Sequence, residues 1–356
     1  VHTASIPYNG EYGRAYVWMK FGNGNTTGVI QKPIIFVEGI DFEKSYSYKE
    51  GRYGSFGWCQ LWGADYDPGG DATIGYPEMR NMPTLLNTLL SKGFDIVLFD
   101  FEDGAGYIQK NAFALVSYLN YLYNSNTVPA SRQPGVIIGA SMGGQVSKYA
   151  LSYMEKNNIK HCALQYLSFD SPHKGANIPL GLQYFINFFA GNGPNPISNN
   201  FAEQMEKKIN RPATRQMLVK YYNNASALFT SYYNEINALG YPKKIRNVAI
   251  ANGSGNGTGQ LFNQGTRLFH WQKSAFPCEV RRLGDIFAYG NKKLFEGKTV
   301  HRILSFCWAK SAQTVSISGD NTPWDNCPGG TNNALLATQN QINAQASIIG
   351  GSTAYY

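Results

Sequence analysis

A serine within a glycine-flanked turn is the residue of this chain best suited to chemistry. Gly139, Ser141 and Gly143 fit the pattern G-x-S-x-G, in which a sharp turn exposes a nucleophilic hydroxyl. Small neighbours suit a strained backbone, and a helix that starts after the serine supplies free N–H groups for a developing oxyanion. The pattern therefore predicts that Ser141 attacks a carbonyl carbon and carries an acyl-enzyme intermediate.

The residues on either side of the turn predict the elements that this chemistry needs. Residues 135–139 are apolar apart from glycine and predict a buried strand. Beyond the turn, apolar residues recur at the i, i+3, i+4 and i+7 spacing of a helix face. These residues are Val146, Tyr149, Ala150, Tyr153 and Met154. Because a strand before and a helix after are the context that the pattern requires, an incidental serine in a tight turn is the less favoured interpretation.

Strands and helices are predicted to alternate over the first two thirds of the chain. Helices are predicted at 84–91 and 112–123, and a helical stretch with polar breaks at 200–239. Buried strands are predicted at 32–37, 95–101, 135–139, 163–169 and 245–251. This alternation indicates a mostly parallel sheet with crossover helices. Between about 261 and 318 the pattern changes to that of an antiparallel β meander.

Composition indicates an exported protein. Of the 356 residues 43% are hydrophobic, enough for a large core, and only 15% are charged. We expect a secreted or cell-surface location with no membrane span. A chain that starts at Val1 fits a mature form whose export signal has been removed and a piece cut from a longer sequence equally well. The net charge of +8 serves solubility first and attraction to acidic cell-surface material second. No recognition helix or base-stacking sheet is evident, so nucleic acid is not an expected partner.

No metal or cofactor is expected. The cysteines are Cys59, Cys162, Cys278, Cys307 and Cys327, and none forms a C-x-x-C pair. The glycine-rich loop at 253–257 lacks the lysine of a phosphate-binding loop. The Asp/Asn loop at 320–326 does not have the spacing of a calcium-binding EF-hand loop.

Three segments resemble the α/β-hydrolase superfamily, and within it lipases and esterases. They are the elbow at 139–143, the strand and loop at 34–41, and the Ser-Pro-His-Lys-Gly run at 171–175. The resemblance covers roughly 33–253. It implies a hydrolase for carboxylic esters, with a small-molecule or lipid ester as substrate. A narrower likeness to secreted hydrolases of Bacteroidetes rests on Phe169–Asn177 and Asp325–Gly330.

The resemblance also implies that the catalytic acid and histidine follow the serine in the chain. Asp170 ends the strand after the elbow and is the preferred acid, although a local turn-forming role is equally open. Asp285, Asp320 and Asp325 remain as alternatives. The family places oxyanion donors after the nucleophile and in the earlier loop, which implies the backbone N–H groups of Met142 and Ile40.

The histidine departs from the family pattern. His301 is preferred over His270 as the base, but both lie in predicted strands rather than in a loop after a strand. His2, His161 and His173 come too early or sit in other contexts. Three possibilities stay open: the meander brings His301 or His270 to the serine, the base lies beyond Tyr356 in a longer chain, or the chemistry has been lost.

The predicted organisation is an α/β-hydrolase core at 1–259, a helical cap insertion at about 178–243, and a β-rich part at 260–356. The aromatic run at 182–189 favours a lid over an ordinary core helix, with a hinge at 191–196. The alternative to an ester hydrolase is a non-catalytic surface or adhesion protein on a degenerate hydrolase scaffold. A third option is an enzyme that keeps the elbow but cleaves peptides or polysaccharide esters.

Overall fold

A seven-stranded sheet carries the serine elbow. The computed structural model of the chain describes residues 1–41, 82–125, 129, 131–191, 200–223, 227–252, 256, 262–275, 278–288, 293–303, 306–316, 335, 339 and 352–355. The strands of this sheet are β1 (His2–Tyr8), β2 (Glu11–Lys20), β3 (Pro33–Val37), β4 (Asp95–Phe101), β5 (Gly135–Ala140), β6 (Ala163–Phe169) and β7 (Arg246–Ile250). Their order is β1-β2-β4-β3-β5-β6-β7.

The sheet is mostly parallel, as the alternation of elements predicts. Strands β4, β3, β5, β6 and β7 run parallel, whereas β1 and β2 form an antiparallel hairpin that joins the edge of β4. Every residue of β3 is buried, and β4 is buried except at Asp100. Strands covered on both faces are continuous apolar runs, which is why 95–101 could be predicted residue for residue.

Helices in the described part of the chain complete the α/β pattern. They are α1 (Met82–Ser91), α2 (Ile108–Asn124), α3 (Met142–Lys156), α4 (Leu180–Phe189), α5 (Asn200–Ile209), α6 (Pro212–Met217) and α7 (Ala227–Leu239). Helix α2 begins at Ile108, before the predicted start at 112. Residues 109–111 are polar yet buried, so the apolar pattern does not extend to them. The Ile108 N–H donates to Gln216 Oε1 at 2.9 Å, and Lys110 Nζ contacts Glu11 and Asp103.

The chain divides into two compact units. The first comprises Val1–Lys174, Arg211–Met217 and Leu228–Ala251. The second comprises Gly175–Asn210, Leu218–Ala227 and Asn252–Tyr356. The residues of the predicted cap insertion, 178–243, are therefore divided between the two units.

The second unit contains a five-stranded sheet in which every adjacent pair is antiparallel. Its strands are β8 (Arg267–Ala275), β9 (Cys278–Phe287), β10 (Lys293–Ile303), β11 (Phe306–Ser316) and β12 (Ser352–Tyr355), in the order β11-β10-β9-β8-β12. The predicted β meander is thus present. The fold class, a mostly parallel sheet flanked by helices together with a separate antiparallel sheet, is confirmed.

Helix α4 holds the aromatic run and belongs to the core of the second unit. Phe185, Phe188 and Phe189 are buried in one cluster with Phe269 and Phe295. The rings of Phe185 and Phe269 meet edge to face, with centroids 5.6 Å apart. Of the two interpretations of this run, the core helix is the one that the burial supports. Residues 192–199, which include most of the predicted hinge, lie outside the described residues.

Candidate active site

Ser141 occupies a strained turn between β5 and α3. Its φ of 50° and ψ of −121° lie in a region that residues with a Cβ rarely adopt. The Ser141 N–H donates to the Phe169 carbonyl at 2.9 Å, and the Ser141 carbonyl accepts the Gly144 N–H at 3.1 Å. Strain that is held in place by a strand on one side and a helix on the other is typical of a nucleophile elbow.

The glycines of the elbow are required because backbone passes close to each of them. A Cβ at Gly139 would lie 2.3 Å from the Gly143 carbonyl oxygen. A Cβ at Gly143 would lie 2.3 Å from the carbonyl oxygens of Val37 and Glu38. The start of α3 therefore packs directly on the end of β3, which brings the loop after β3 to the nucleophile.

That loop, residues 38–41, contacts the serine through Gly39. A Cβ built on Gly39 would lie 3.3 Å from Ser141 Cβ, so the two residues are neighbours. The predicted oxyanion donors sit on either side of this contact: Ile40 follows Gly39, and Met142 is the first residue of α3. The N-terminus of a helix carries partial positive charge, which favours a developing oxyanion at the Met142 N–H.

Two buried acidic residues, Glu38 and Asp41, belong to this loop. Glu38 is fully buried, and its Oε1 accepts the Phe101 N–H at 2.5 Å. Burial, and then the nearby Asp100 and Asp41 carboxylates, raise the pKa of Glu38 well above its usual value. The protonated form of Glu38 is therefore favoured, and that form places no negative charge in the loop that holds the predicted oxyanion donor.

Asp170, the predicted acid, follows β6 at the same edge of the sheet as Ser141. Ala140 and Phe169 are paired residues of the parallel strands β5 and β6, so the serine and the aspartate each follow one member of a pair. Asp170 is exposed, has a φ of 46°, and donates its N–H to the Ile250 carbonyl at 2.7 Å. Aspartate tolerates positive φ, so the turn-forming role remains as open as the catalytic one.

The predicted base lies in the second unit. His301 is in β10, where its backbone pairs with Trp308 of β11. The side chain of His301, and the alternative acids Asp320 and Asp325, lie outside the described residues. Ser141 and Asp170 belong to the first unit, so the assignment of His301 as the base stays a prediction.

The second unit joins two of the alternative residues to each other. His270 in β8 and Asp285 in β9 are cross-strand partners, and His270 Nδ1 lies 2.6 Å from Asp285 Oδ1. Asp285 is buried, and Arg267 lies 3.9 Å from the same carboxylate oxygen. A carboxylate on Nδ1 is the arrangement that orients a catalytic imidazole, although a structural ion pair has the same geometry.

The histidines of the first unit make other contacts. The His2 ring packs on Tyr118 with centroids 5.5 Å apart, and His161 Nε2 lies 3.3 Å from Glu155. His173 Nε2 lies 2.7 Å from Ser168 Oγ. Burial, and then the Lys148 ammonium, lower the pKa of His173 to about 4, which makes it a neutral ring at neutral pH.

Over the described ranges, no helix is both long and apolar enough to cross a membrane. In that same part of the chain, no group of three or more His, Cys, Asp or Glu side chains is arranged to hold a metal ion.

Comparisons with known proteins give matches only at the level of structure. No protein-family model and no curated protein sequence matches the chain. A Bacillus licheniformis lipase in propeptide form aligns with 16% identity and a TM-score of 0.36, over 68% of this chain and 40% of the lipase. An esterase of Pyrococcus furiosus aligns with 14% identity and a TM-score of 0.31, over 70% of this chain and 81% of the esterase.

A fungal esterase from Rhizomucor miehei aligns with 12% identity and a TM-score of 0.32, over 70% of this chain and 73% of the esterase. The chain's own strand order and elbow identify the fold. The strand order places the serine after the fifth strand, at the turn into a helix, and the loop after the third strand faces it. These features give the chain the α/β-hydrolase fold.

Proposed function

We propose that this protein is a serine hydrolase that cleaves carboxylic esters through an acyl-enzyme on Ser141. The observation that carries the proposal is the positive φ of Ser141 at a strand-to-helix turn that faces Gly39. Ser141 Oγ attacks the acyl carbon, the N–H groups of Met142 and Ile40 hold the oxyanion, and the alcohol leaves with a proton from the base. Water then releases the acid from the enzyme. The proposed enzyme is secreted, and its substrate is a small-molecule or lipid ester.

Labelling with a fluorophosphonate probe tests the nucleophile directly. The wild-type protein should be labelled, and Ser141→Ala should lose both the label and hydrolysis of a short p-nitrophenyl ester, by roughly 1,000-fold or more. Ser147→Ala is the matched control, because Ser147 is a buried serine of the same helix α3. Equal hydrolysis by wild type and Ser141→Ala would refute the proposed function.

The proposed acid and base are Asp170 and His301, and the alternatives offer a matched comparison. His301→Ala and Asp170→Asn should each lower kcat by roughly 1,000-fold or more, whereas His270→Ala and Asp285→Asn should leave kcat within a few-fold of wild type. The reverse pattern would move both roles to the 2.6 Å pair of His270 and Asp285. Loss of activity in neither set would mean that the base is another group.

A second candidate function is a non-catalytic binding protein on the same scaffold. It is favoured by the contacts of His2, His161 and His173, each of which pairs with a residue other than Ser141. The same probe discriminates between the two functions. A folded wild-type protein that takes no label at Ser141 would support the scaffold, and a labelled serine would exclude it.

A further inference from the structure

Glu38 is a buried acid in the loop that contacts the candidate nucleophile, and the proposed mechanism does not use it. It is the first residue after β3 and is fully buried. Burial of a carboxyl group is unfavourable unless other hydrogen bonds replace those that it makes with water. Its location one residue before Gly39 suggests a role in the loop that faces Ser141.

Glu38 holds the end of β4 through both its backbone and its side chain. Its N–H donates to the Phe99 carbonyl at 3.2 Å, and its Oε1 accepts the Phe101 N–H at 2.5 Å. Phe101 is the last residue of β4. The carboxyl group therefore continues the pairing of β3 and β4 beyond the last backbone hydrogen bond between them.

The other end of the loop is also tied to the segment that follows β4. The Asp41 N–H donates to the Gly104 carbonyl at 3.3 Å. A Cβ at Gly104 would lie 2.8 Å from Asp41 Cβ, so the two segments are in close contact. Gly39 and Ile40 therefore lie between two residues, Glu38 and Asp41, that are each hydrogen-bonded to β4 or to the segment after it.

We propose that Glu38 is a positioning residue for acyl transfer at Ser141, because its carboxyl tie to the Phe101 N–H fixes where the loop presents Gly39 and the Ile40 N–H. The inference rests on the proposed function. An oxyanion donor acts only when it lies within hydrogen-bond distance of the place where charge develops, and a shift of about 1 Å can lower the rate by roughly 100-fold. The length of the Glu38 side chain is therefore the property that matters.

A neutral side chain of the same length as glutamate should therefore be able to fulfil the role of Glu38. The Asp100 and Asp41 carboxylates disfavour a charge at this position, which agrees with the raised pKa of Glu38. Glu38→Gln keeps the length and an acceptor for the Phe101 N–H. Glu38→Asp keeps the carboxyl group but withdraws it by one methylene, and it leaves the Phe101 N–H without its acceptor.

The first test compares these two variants by steady-state hydrolysis of a p-nitrophenyl ester. Glu38→Gln should keep kcat within about 3-fold of wild type, and Glu38→Asp should lower kcat by roughly 10- to 100-fold with little change in KM. A structural role alone would lower the amount of folded enzyme and would not select glutamine over aspartate in kcat. Equal kcat values for the two variants, or a lower value for Glu38→Gln, would overturn the proposal.

Asp95 provides a control at the opposite end of β4. Its carboxylate accepts the N–H groups of Gly22 and Gln31 at 2.8 and 2.6 Å. Asp95→Glu disturbs a carboxylate-to-backbone tie of the same kind, so it should lower the melting temperature while kcat per folded enzyme stays within about 3-fold of wild type. An equal loss of kcat in Asp95→Glu and Glu38→Asp would show a general effect of β4 and refute the specific role of Glu38.

Amide hydrogen exchange separates this proposal from the proposed function, because it needs no turnover. In Glu38→Asp, exchange should accelerate at Phe101 and over residues 39–41, and in Glu38→Gln it should match wild type. Unchanged exchange in Glu38→Asp would refute the positioning role whether or not the enzyme is active. A wild type that takes no fluorophosphonate and hydrolyses no ester, but shows the expected exchange, would refute the proposed function and leave the tie to the loop intact.

Discussion

A Cβ on Gly39 would lie 3.3 Å from Ser141 Cβ, 3.4 Å from the Ala140 carbonyl oxygen and 3.9 Å from Ser141 Oγ. The first separation is closer than side chains normally pack, the second is at the lower limit of ordinary contact, and the third is an ordinary contact. Gly39 therefore lets the loop after β3 approach the nucleophile closely. The space that a methyl group would take is next to the hydroxyl that the proposed mechanism uses.

In Gly39→Ala, the loss of transition-state stabilisation measured by kcat should exceed the loss in the free energy of unfolding. The added methyl group should displace the loop or the serine by a few tenths of an ångström, and we expect kcat to fall by roughly 10-fold or more. The measurement is kcat with a short ester beside the urea midpoint of the same variant. As a control, the stability cost of Gly39→Ala should shrink when Ser141→Gly removes the Cβ that it meets. Unchanged kcat would mean that this side of the serine is not used.

Ser141→Gly should be more stable than Ser141→Ala. Both variants lack the hydroxyl, but alanine keeps the Cβ that makes a φ of 50° unfavourable, whereas glycine adopts it freely. After the entropy of glycine in the unfolded chain is subtracted, we expect a difference of about 1 kcal/mol in the free energy of unfolding. Urea denaturation of the two variants measures it. A less stable glycine variant would show that the turn is not strained.

Glu38→Gln should stabilise the protein increasingly as the pH rises. The folded pKa of Glu38 is raised, so below its unfolded pKa the carboxyl is protonated in both states. Above that value the unfolded state loses the proton first, and wild-type stability falls until the pH passes the folded pKa. The glutamine variant lacks this loss. Melting temperatures between pH 4 and pH 9 should therefore diverge in favour of the variant, and parallel curves would contradict a raised pKa of Glu38 in the folded state.

Gly284→Ala should destabilise the second unit through contact with α4. A Cβ at Gly284 would lie 2.4 Å from Phe185 Cε2. Overpacking of this kind is expected to lower the free energy of unfolding by roughly 1 to 3 kcal/mol. Adding Phe185→Leu should recover part of the loss, which a double-mutant cycle measures. Additive effects would indicate that the ring is free of the sheet, as a lid would require.

Much of the first unit could be predicted because its strands and helices have characteristic patterns of residues that are close together in the chain. The strand at 95–101 is apolar apart from Asp95 and Asp100, and the elbow at Ser141 has small residues at fixed spacing. The edge of the sheet where Ser141 and Asp170 lie follows from the parallel order of those strands. Local periodicity is sufficient for such features because it is set by residues close in the chain.

Contacts between distant residues could not be predicted in this way. The tie from Glu38 to Phe101 depends on which strand lies beside β3, and sequence alone leaves its neighbour open. The pair of His270 and Asp285 depends on the register of β8 and β9, and a shift by one residue would send the two side chains to opposite faces. The aromatic run of α4 was ambiguous for a related reason, since apolar residues suit a lid and a core equally.

The two units are interleaved along the chain, which passes between them after Lys174, Asn210, Met217, Ala227 and Ala251. As the chain leaves the ribosome, the strand β7 that ends the first sheet emerges only after 175–210 and 218–227 have been made. The first unit therefore cannot be completed while those segments are still inside the exit tunnel, and the buried aromatic side chains of α4 have no core to enter until the second sheet is synthesised.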